Sequence, residues 1–311
     1  MKRLITFAGL ATALVCFGTV SFAQDAGLPP DEERERSDPE LPYSPYASGS
    51  AATQVYWGDT HLHTSFSMDA GAFGNRLGLD EAYRFARGEE VDSTTAGRVR
   101  LARPLDFLVI ADHSDNMGFF PDLCAGEPAI LEDETGKEWY DMIQAGQGMD
   151  VAMQIIDSFS RGTFPDKLMY WPDGPMYRSA WDKTIAAAEK YNEPGRFTAF
   201  IGYEWTSQVP PGQNLHRVVV YKDGADKASQ TVPATTYPPQ GSTDPEYLWK
   251  LLQQYEDKTG GDLLAIAHNG NLSNGLMFPL TNHVDGKPIT REYAETRARW
   301  EPLYEVTQIK G

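Results

Sequence analysis

From about Thr53 onward, short apolar runs alternate with longer segments in which apolar residues recur every three or four positions. The short runs are rich in β-branched and aromatic residues, which is typical of buried strands. The alternation of strands with helices predicts an α/β fold with a largely parallel sheet or barrel. The predicted strands are QVYWGDTHLH, LDFLVIADH, FTAFIGYEW, HRVVVYK, DLLAIAH and LYEVTQI.

The segments between these strands carry the helical period. The clearest is TDPEYLWKLLQQYEDKTG, in which Thr243 or Asp244 is positioned to cap the first turn and Gly260 to end the helix. The other predicted helices are LGLDEAYRFARGEE, YDMIQAGQGMDVAMQIIDSFS, YRSAWDKTIAAAEKYN and TREYAETRARW.

One connection is too short for a parallel return. The residues from Trp205 to Leu215 include Pro210, Pro211 and Gly212. A parallel crossover needs about a dozen residues or more, usually with a helix. We therefore expect the strands on either side of this connection to be antiparallel neighbours.

The N-terminal part of the chain differs from the rest. Residues 1–23 begin with a basic pair, continue with an apolar stretch and end in small residues, which predicts a secretory signal peptide, with a retained N-terminal anchor as the alternative. Residues 24–53 are Pro-rich and acidic and predict a flexible leader. Residues 54–311 are expected to form one domain of a periplasmic or secreted protein. The chain ends just after the last predicted strand, so we expect it to be a fragment of a longer protein.

The net charge of −17 argues against nucleic acid as a partner and is compatible with the binding of cations. No stretch after the signal peptide is apolar enough to span a membrane, so no membrane partner is expected after cleavage. Removal of Cys16 with the signal peptide leaves Cys124 as a single cysteine, which cannot form an internal disulfide. The oligomeric state is not predicted.

Five of the six histidines lie at the end of an apolar strand. His61 and His63 are two residues apart and should face the same side of their strand, with Asp59 one step earlier on that face. Paired imidazoles suit a divalent cation such as Zn²⁺ or Mn²⁺, and Asp69 in the following turn adds an oxygen ligand within reach. A purely structural role for the histidine pair is the alternative.

The other strand ends repeat this pattern. The run LVIADHSD ends in Asp112, His113 and Asp115, at the kind of edge where α/β barrels place their active sites. Glu204 lies inside an aromatic strand, where a carboxylate needs either a basic partner or a metal ion. The antiparallel arrangement brings Glu204 close to His216 at the start of the next strand. The remaining histidines are His268, at the end of DLLAIAH, and His283, which is predicted to be ordinary surface.

These residues resemble the motifs of the PHP (polymerase and histidinol phosphatase) superfamily, from about Val55 to the end of the chain. The motifs of that family are D-x-H-x-H-(T/S), then (T/A)-D-H at a strand end, then a strand glutamate, a strand-initial histidine and a late (S/A)-H. The phrases WGDTHLHTSFS, FIGYEWTS, AHNGNLSNG and WEPLYEVTQIKG resemble an exported branch of undefined function. The matching residues are Asp59, His61, His63, Thr64, Ala111, Asp112, His113, Glu204, His216 and His268.

The resemblance implies a distorted (β/α)7 PHP-type barrel, incomplete at its C-terminus, with two or three divalent metal ions (Mn, Zn or Fe) at the rim. It implies a metal-dependent phosphoesterase that hydrolyses a small-molecule phosphoester with a metal-bound hydroxide. Asp59 and Asp112 would orient the imidazoles, and Arg217 would contact the phosphate. The expected metal ligands are His61, His63, Asp69, His113, Glu204, His216 and His268.

One departure and two alternatives accompany this expectation. The family closes its site with a late D-x-H, and no such motif follows His268, so the fragment by itself is expected to lack ligands. An amidohydrolase-type barrel also opens with H-x-H, but it commonly uses a strand lysine where this chain has Glu204. The second alternative is an exported module that binds a metal ion or another ligand without catalysis.

Overall fold

The computed structural model describes residues 55–210, 212–282 and 284–306. The predictions for the signal peptide, the leader, His283 and the last five residues therefore lie outside the described residues. The chain divides into two units, Met1–Val55 and Tyr56–Gly311, and all elements named below belong to the second unit. None of the helices formed by the described residues is both long and apolar enough to cross a membrane.

The described residues form strands that follow the predicted apolar runs, together with two short hairpins. One hairpin pairs Val91–Ser93 with Gly97–Val99, the other pairs Gln208–Val209 with Gln213–Asn214, and neither was predicted. The strands are β1 (Gly58–Leu62), β2 (Val91–Ser93), β3 (Gly97–Val99), β4 (Phe107–Ile110), β5 (Thr198–Phe200), β6 (Gly202–Trp205), β7 (Gln208–Val209), β8 (Gln213–Asn214), β9 (Arg217–Tyr221), β10 (Leu263–Ala267) and β11 (Leu303–Tyr304).

The longer helices lie between these strands, as the sequence pattern predicts, whereas four short helices near residues 70, 120, 130 and 226 were not predicted. The α-helices are α1 (Met68–Ala72), α2 (Leu79–Ala86), α3 (Phe119–Ala125), α4 (Pro128–Leu131), α5 (Glu134–Gln144), α6 (Gly148–Ser160), α7 (Pro175–Tyr191), α8 (Ala225–Ala228), α9 (Pro245–Thr259) and α10 (Arg291–Trp300).

The sheet confirms the α/β class, with both parallel and antiparallel pairs. β4 lies between β1 and β5, and both neighbours are parallel to it. A second row has the order β11–β10–β9–β6, in which β10 and β11 are parallel. Only Ile201 separates β5 from β6, so the two rows share one strand segment. The predicted antiparallel connection is confirmed, because β6 and β9 pair antiparallel, and so do β9 and β10.

Local chemistry explains where the predicted helices end. The Asp244 side chain accepts a hydrogen bond from the backbone N–H of Glu246 at 3.0 Å, so Asp244 is the cap of α9. Gly260 ends α9 with a φ of 62°, a left-handed conformation that favours glycine. The single helix predicted over residues 140–160 was wrong. It is divided into α5 and α6 by Gly146, which has a φ of 82°.

The two faces of the sheet pack differently. One face packs under the helices and buries large side chains such as Trp181, Trp205 and Trp249. The other face carries a small apolar cluster of Val109, Ala111, Val218 and Ile266. Because side chains alternate along a strand, the residues that end the strands on this second face project beyond the small cluster. These residues form the site described below.

Candidate metal centre

The histidines at the strand ends continue the apolar face of the small cluster. Along β4 and the residues after it, Val109, Ala111 and His113 are spaced by two, and the same spacing in β10 relates Ile266 to His268. Residues spaced by two share one face of a strand. The apolar residues therefore fill the space below, and the imidazoles lie above them at the same end of the sheet.

Glu204 and His216 meet because β6 and β9 are antiparallel. Glu204 is directly opposite Val218, so His216, two residues before Val218, lies on the same face and beside the carboxylate. Gly202 allows β6 to lie close to β4, because an added Cβ there would lie 2.4 Å from the Val109 side chain. The Glu204 side chain is 1% exposed.

Five imidazoles form a closed ring at this end of the sheet. The His61 and His268 rings are 4.0 Å apart between centroids, and His63 and His113 are 4.6 Å apart. The remaining neighbouring pairs are 5.1–5.8 Å apart. The ring therefore contains all five histidines that were predicted at strand ends.

The Glu204 carboxylate lies within contact distance of every imidazole in this ring. Its Oε2 is 3.0 Å from His61 Nε2 and 2.8 Å from His63 Nε2. Its Oε1 is 2.6 Å from His216 Nδ1, 3.3 Å from His268 Nε2 and 3.4 Å from His113 Nδ1. Among the described residues, the ion-pair partners of Glu204 are all histidines, without a lysine or arginine.

Asp69 supplies a second carboxylate at the rim of the ring. Its Oδ1 is 3.0 Å from His63 Nδ1, and its Oδ2 is 3.2 Å from His113 Nε2. The Ser67 hydroxyl donates to Asp69 Oδ1 at 2.6 Å. The first turn of α1 therefore places this carboxylate between two imidazoles, within reach of the histidine pair as the sequence predicted, although Asp69 lies in a short helix and not in the turn before it.

The donor set fits divalent cations. Two groups of nitrogen and oxygen atoms converge within 4.8 Å, one from His61, Glu204 and His268 and the other from His63, Asp69 and His113. Imidazole nitrogen and carboxylate oxygen are the ligands that Zn²⁺, Mn²⁺ and Fe²⁺ accept. The described part of the chain therefore contains two groups that could each hold a metal ion.

The fit is supported by buried atoms that the protein leaves without a hydrogen bond. These atoms are His63 Nε2, His216 Nε2, His268 Nε2 and Glu204 Oε1. The His63 and His268 nitrogens lie close to Glu204 but without hydrogen-bond geometry. Leaving a buried polar atom unsatisfied costs about 1–3 kcal/mol. Coordination to a cation would satisfy such atoms, whereas a purely structural histidine cluster would leave them unpaired.

Burial and mutual contacts shift the ionisation of these groups in opposite directions. Burial would raise the pKa of Glu204, but the adjacent His113, His268 and His216 hold this pKa well below its usual value. Burial lowers the pKa of His216 to about 4, although Glu204 opposes that shift. Burial would also lower the pKa of His63, but its contacts with Asp69 and with the Glu204 carboxylate raise it well above its usual value. The Glu204 carboxylate therefore keeps its negative charge at neutral pH.

Three residues that the sequence did not single out contact the imidazole ring. Thr206 Oγ1 is 2.5 Å from His113 Nδ1, and Ser67 Oγ is 2.9 Å from His63 Nδ1. Glu305 Oε2 is 2.8 Å from His61 Nδ1. Ser67 lies in the Ser/Thr-rich turn and Thr206 lies two residues after Glu204, so both are close in the chain to residues that were predicted to be metal ligands. For Glu305, the only signal was its place in the last predicted strand.

Asp59 and Asp112 do not orient imidazoles, contrary to the expectation. Asp59 is exposed, and its Oδ1 accepts a hydrogen bond from the backbone N–H of His61 at 2.7 Å. The pairing of β1 with β4 shifts register between Asp59 and Leu62, which interrupts the expected alternation. Asp112 is buried and accepts hydrogen bonds from the backbone N–H and the hydroxyl of Thr64. Asp112 therefore fixes the turn after His63 rather than an imidazole.

Arg217 is not placed to contact a phosphate at this site. It is 1% exposed, and its Nε donates to Glu301 Oε1 at 3.0 Å. It follows His216 directly and is opposite Trp205, so its side chain lies on the opposite face of the sheet from the imidazoles. The assignment of Arg217 as a phosphate contact is therefore corrected to a buried structural ion pair.

Asp115 also has a structural partner. Its carboxylate accepts hydrogen bonds from the backbone N–H and the hydroxyl of Thr236 at 2.9 and 2.7 Å, and from the backbone N–H of Tyr237 at 3.1 Å. Asp115 therefore anchors the segment that precedes α9, and its carboxylate is satisfied without a metal ion.

A family model described as "Protein of unknown function (DUF3604)" matches residues 50–311 of the chain. The chain belongs to this family. No curated protein and no solved structure matches the sequence. The description of the DUF3604 family names no activity, so the chemistry of the imidazole ring and its carboxylates is the basis for a functional proposal.

Proposed function

We propose that this protein is a metal-dependent hydrolase, and specifically a phosphoesterase that acts on a small-molecule phosphoester. The observation that carries the proposal is the contact of one buried carboxylate, Glu204, with five imidazoles. Imidazole nitrogen and carboxylate oxygen are ligands of divalent cations, and pairs of such cations occur in phosphatases.

The chain would hold one cation with His61, Glu204 and His268 and another with His63, Asp69 and His113. His216 lies beside Glu204 and presents Nε2 as a further donor. The cations would be Mn, Zn or Fe in a divalent state. When bound, such ions supply Lewis-acid stabilisation of the phosphoryl oxygens that gain charge during hydrolysis.

The residues of the chain would prepare the site for this chemistry. The Glu204 carboxylate remains ionised because nearby imidazoles hold its pKa low, so its charge is available at neutral pH. Asp69 lies at the partly exposed rim, where it contacts two imidazoles and accepts a hydrogen bond from the Ser67 hydroxyl. The apolar cluster below, which includes Ala111 and Ile266, keeps water from the underside of the site.

We also propose that the strands belong to a distorted (β/α)7 barrel of the PHP type. The order β1–β4–β5/β6–β9–β10–β11 is the support for this proposal. The side chain of His61 in the first strand reaches Glu305, which follows the last described strand. The sheet therefore curves far enough for its two ends to contact each other through side chains.

Hydrolysis by the metal-loaded protein tests the proposal. We expect protein reconstituted with Mn²⁺ or Zn²⁺ to release p-nitrophenol from p-nitrophenyl phosphate or its diester. Glu204→Gln should abolish the release, because it removes the charge that offsets the cations, while Glu295→Gln should not change it, because Glu295 is an exposed partner of Arg291 on α10. Metal binding without any turnover would instead support a non-catalytic module and contradict the proposed enzyme.

A further inference from the structure

His61 lies between two carboxylates, one from β6 in the middle of the sheet and one that follows the edge strand β11. Its Nε2 is 3.0 Å from Glu204 Oε2, and its Nδ1 is 2.8 Å from Glu305 Oε2. The contact with Glu305 joins residues that are 244 positions apart in the chain. A neutral imidazole carries one N–H, so a carboxylate on one nitrogen determines which nitrogen is left with a free lone pair.

The position of Glu305 is fixed by the backbone. Its N–H donates to the carbonyl oxygen of Ala267 at 3.0 Å, which continues the parallel pairing of β10 and β11 by one residue. Leu303 pairs with Ile266, and residues spaced by two share a face. The Glu305 side chain therefore lies on the same face as Ile266 and His268, directed toward the imidazole ring, and it is 23% exposed.

The Nδ1 atoms of three other imidazoles have different partners. His113 Nδ1 contacts the Thr206 hydroxyl, and His268 Nδ1 is 3.4 Å from the carbonyl oxygen of Ile266. His63 Nδ1 contacts Ser67 and Asp69, which lie four and six residues further along the chain. Among these imidazoles, His61 is the one whose Nδ1 contacts a carboxylate far away in the chain. This contact connects the residue that follows β11 to the imidazole ring.

We propose that Glu305 is a positioning residue for His61. It accepts the Nδ1–H of the imidazole, fixes that tautomer and ring orientation, and leaves the Nε2 lone pair directed at the cation position shared with Glu204 and His268. This inference rests on the proposed metal centre. A carboxylate that holds the second nitrogen of a ligating histidine typically changes metal affinity by about 10- to 100-fold when it is lost.

Titration of the protein with Mn²⁺, after treatment with a chelator and its removal, tests this role. We expect Glu305→Ala to weaken one of the bound equivalents by about 10- to 100-fold. Glu305→Gln should weaken it less, because the amide oxygen can still accept the Nδ1–H. Glu295→Gln is the matched control, since it removes an exposed glutamate charge nearby in the sequence, and its affinity should equal that of the unaltered protein.

A double-mutant cycle separates positioning from direct ligation. Glu305→Ala should have no further effect on Mn²⁺ affinity when His61→Ala is already present, because Glu305 acts through that ring. An equal additional loss in the double variant would show that Glu305 acts independently of His61 and would overturn the inference. Thermal unfolding of each variant in chelator confirms that the comparison is made between folded proteins.

A second readout is the tautomer of the His61 ring in the loaded protein. In ¹⁵N-correlated NMR spectra of the protein loaded with diamagnetic Zn²⁺, the His61 resonances, identified by their loss in His61→Ala, should show the Nδ1–H tautomer. They should lose that preference in Glu305→Ala. An unchanged tautomer together with an unchanged Mn²⁺ affinity would refute the role of Glu305. Failure of the unaltered protein to bind Mn²⁺ would instead refute the proposed metal centre, so the two failures are distinguishable.

Discussion

The stability of the metal-free protein should depend on Glu204 in a way that changes with pH. Glu204→Gln keeps the shape of the side chain and removes its charge. Glu204 Oε2 is 2.8 Å from His63 Nε2, and unit charges at that distance attract by about 6 kcal/mol at an effective dielectric of about 20, before the cost of their desolvation. Removing one member of a buried pair typically costs about 3–5 kcal/mol. We expect a loss of that size at pH 6.

The sign of the pH dependence follows from the raised pKa of His63. A histidine whose pKa is raised by folding stabilises the folded state fully below its unfolded value of about 6.5. This contribution is lost as the pH rises through the pKa of His63 in the folded protein. Because Glu204 is one cause of the raised pKa, the cost of Glu204→Gln should shrink as pH increases from 6.5 toward 9.

Urea unfolding in chelator at pH 6 and pH 9 measures this difference. The unaltered protein and the variant are compared at each pH, with Glu295→Gln as the control for loss of an exposed carboxylate. A cost that is equal at both pH values, or absent at pH 6, would contradict the assigned pairing of Glu204 with protonated imidazole.

Three further substitutions test the roles of Asp69, His216 and Glu301. Asp69→Asn should remove one of two bound Mn²⁺ ions by elemental analysis, because Asp69 belongs to one metal group; an unchanged stoichiometry would exclude it as a ligand. The pKa of His216 is lowered to about 4, so in chelator the protein should lose up to about 3 kcal/mol of stability as pH falls from 6.5 to 4. In urea unfolding, His216→Gln should make the stability less dependent on pH over this range. An equal pH dependence in both proteins would be inconsistent with a buried neutral imidazole. Glu301→Gln should destabilise the fold by about 3–5 kcal/mol, because Arg217 loses its buried carboxylate partner. The amount of metal bound per folded molecule should stay constant. A fall in that amount would show that the Arg217–Glu301 ion pair contributes to metal binding.

Much of the site was predictable because it follows from strand periodicity. A polar residue that directly follows an apolar strand must lie at the edge of the sheet, and this placed His113 and His268 correctly. The short connection after Trp205 predicted the antiparallel pair, and the pair brought Glu204 to His216. These inferences needed only the alternation of side chains and the length of one loop.

The errors arose where contacts are set by register or by distant residues. Arg217 follows His216 directly, so alternation places it on the opposite face, and its partner Glu301 belongs to a helix end far along the chain. Asp59 was misplaced because an irregularity in β1 interrupts the alternation that the prediction assumed. Glu305 lies after a two-residue strand, and its contact with His61 depends on the curvature of the whole sheet.

Anomalous X-ray diffraction from crystals grown with Mn²⁺ would locate the cations themselves. Two anomalous peaks are expected inside the imidazole ring, one bounded by His61, Glu204 and His268 and the other by His63, Asp69 and His113. Crystals of Glu204→Gln should show a reduced peak at the first position. The absence of any peak within the ring of the unaltered protein, with Mn²⁺ present in excess, would contradict the metal centre on which the proposed function depends.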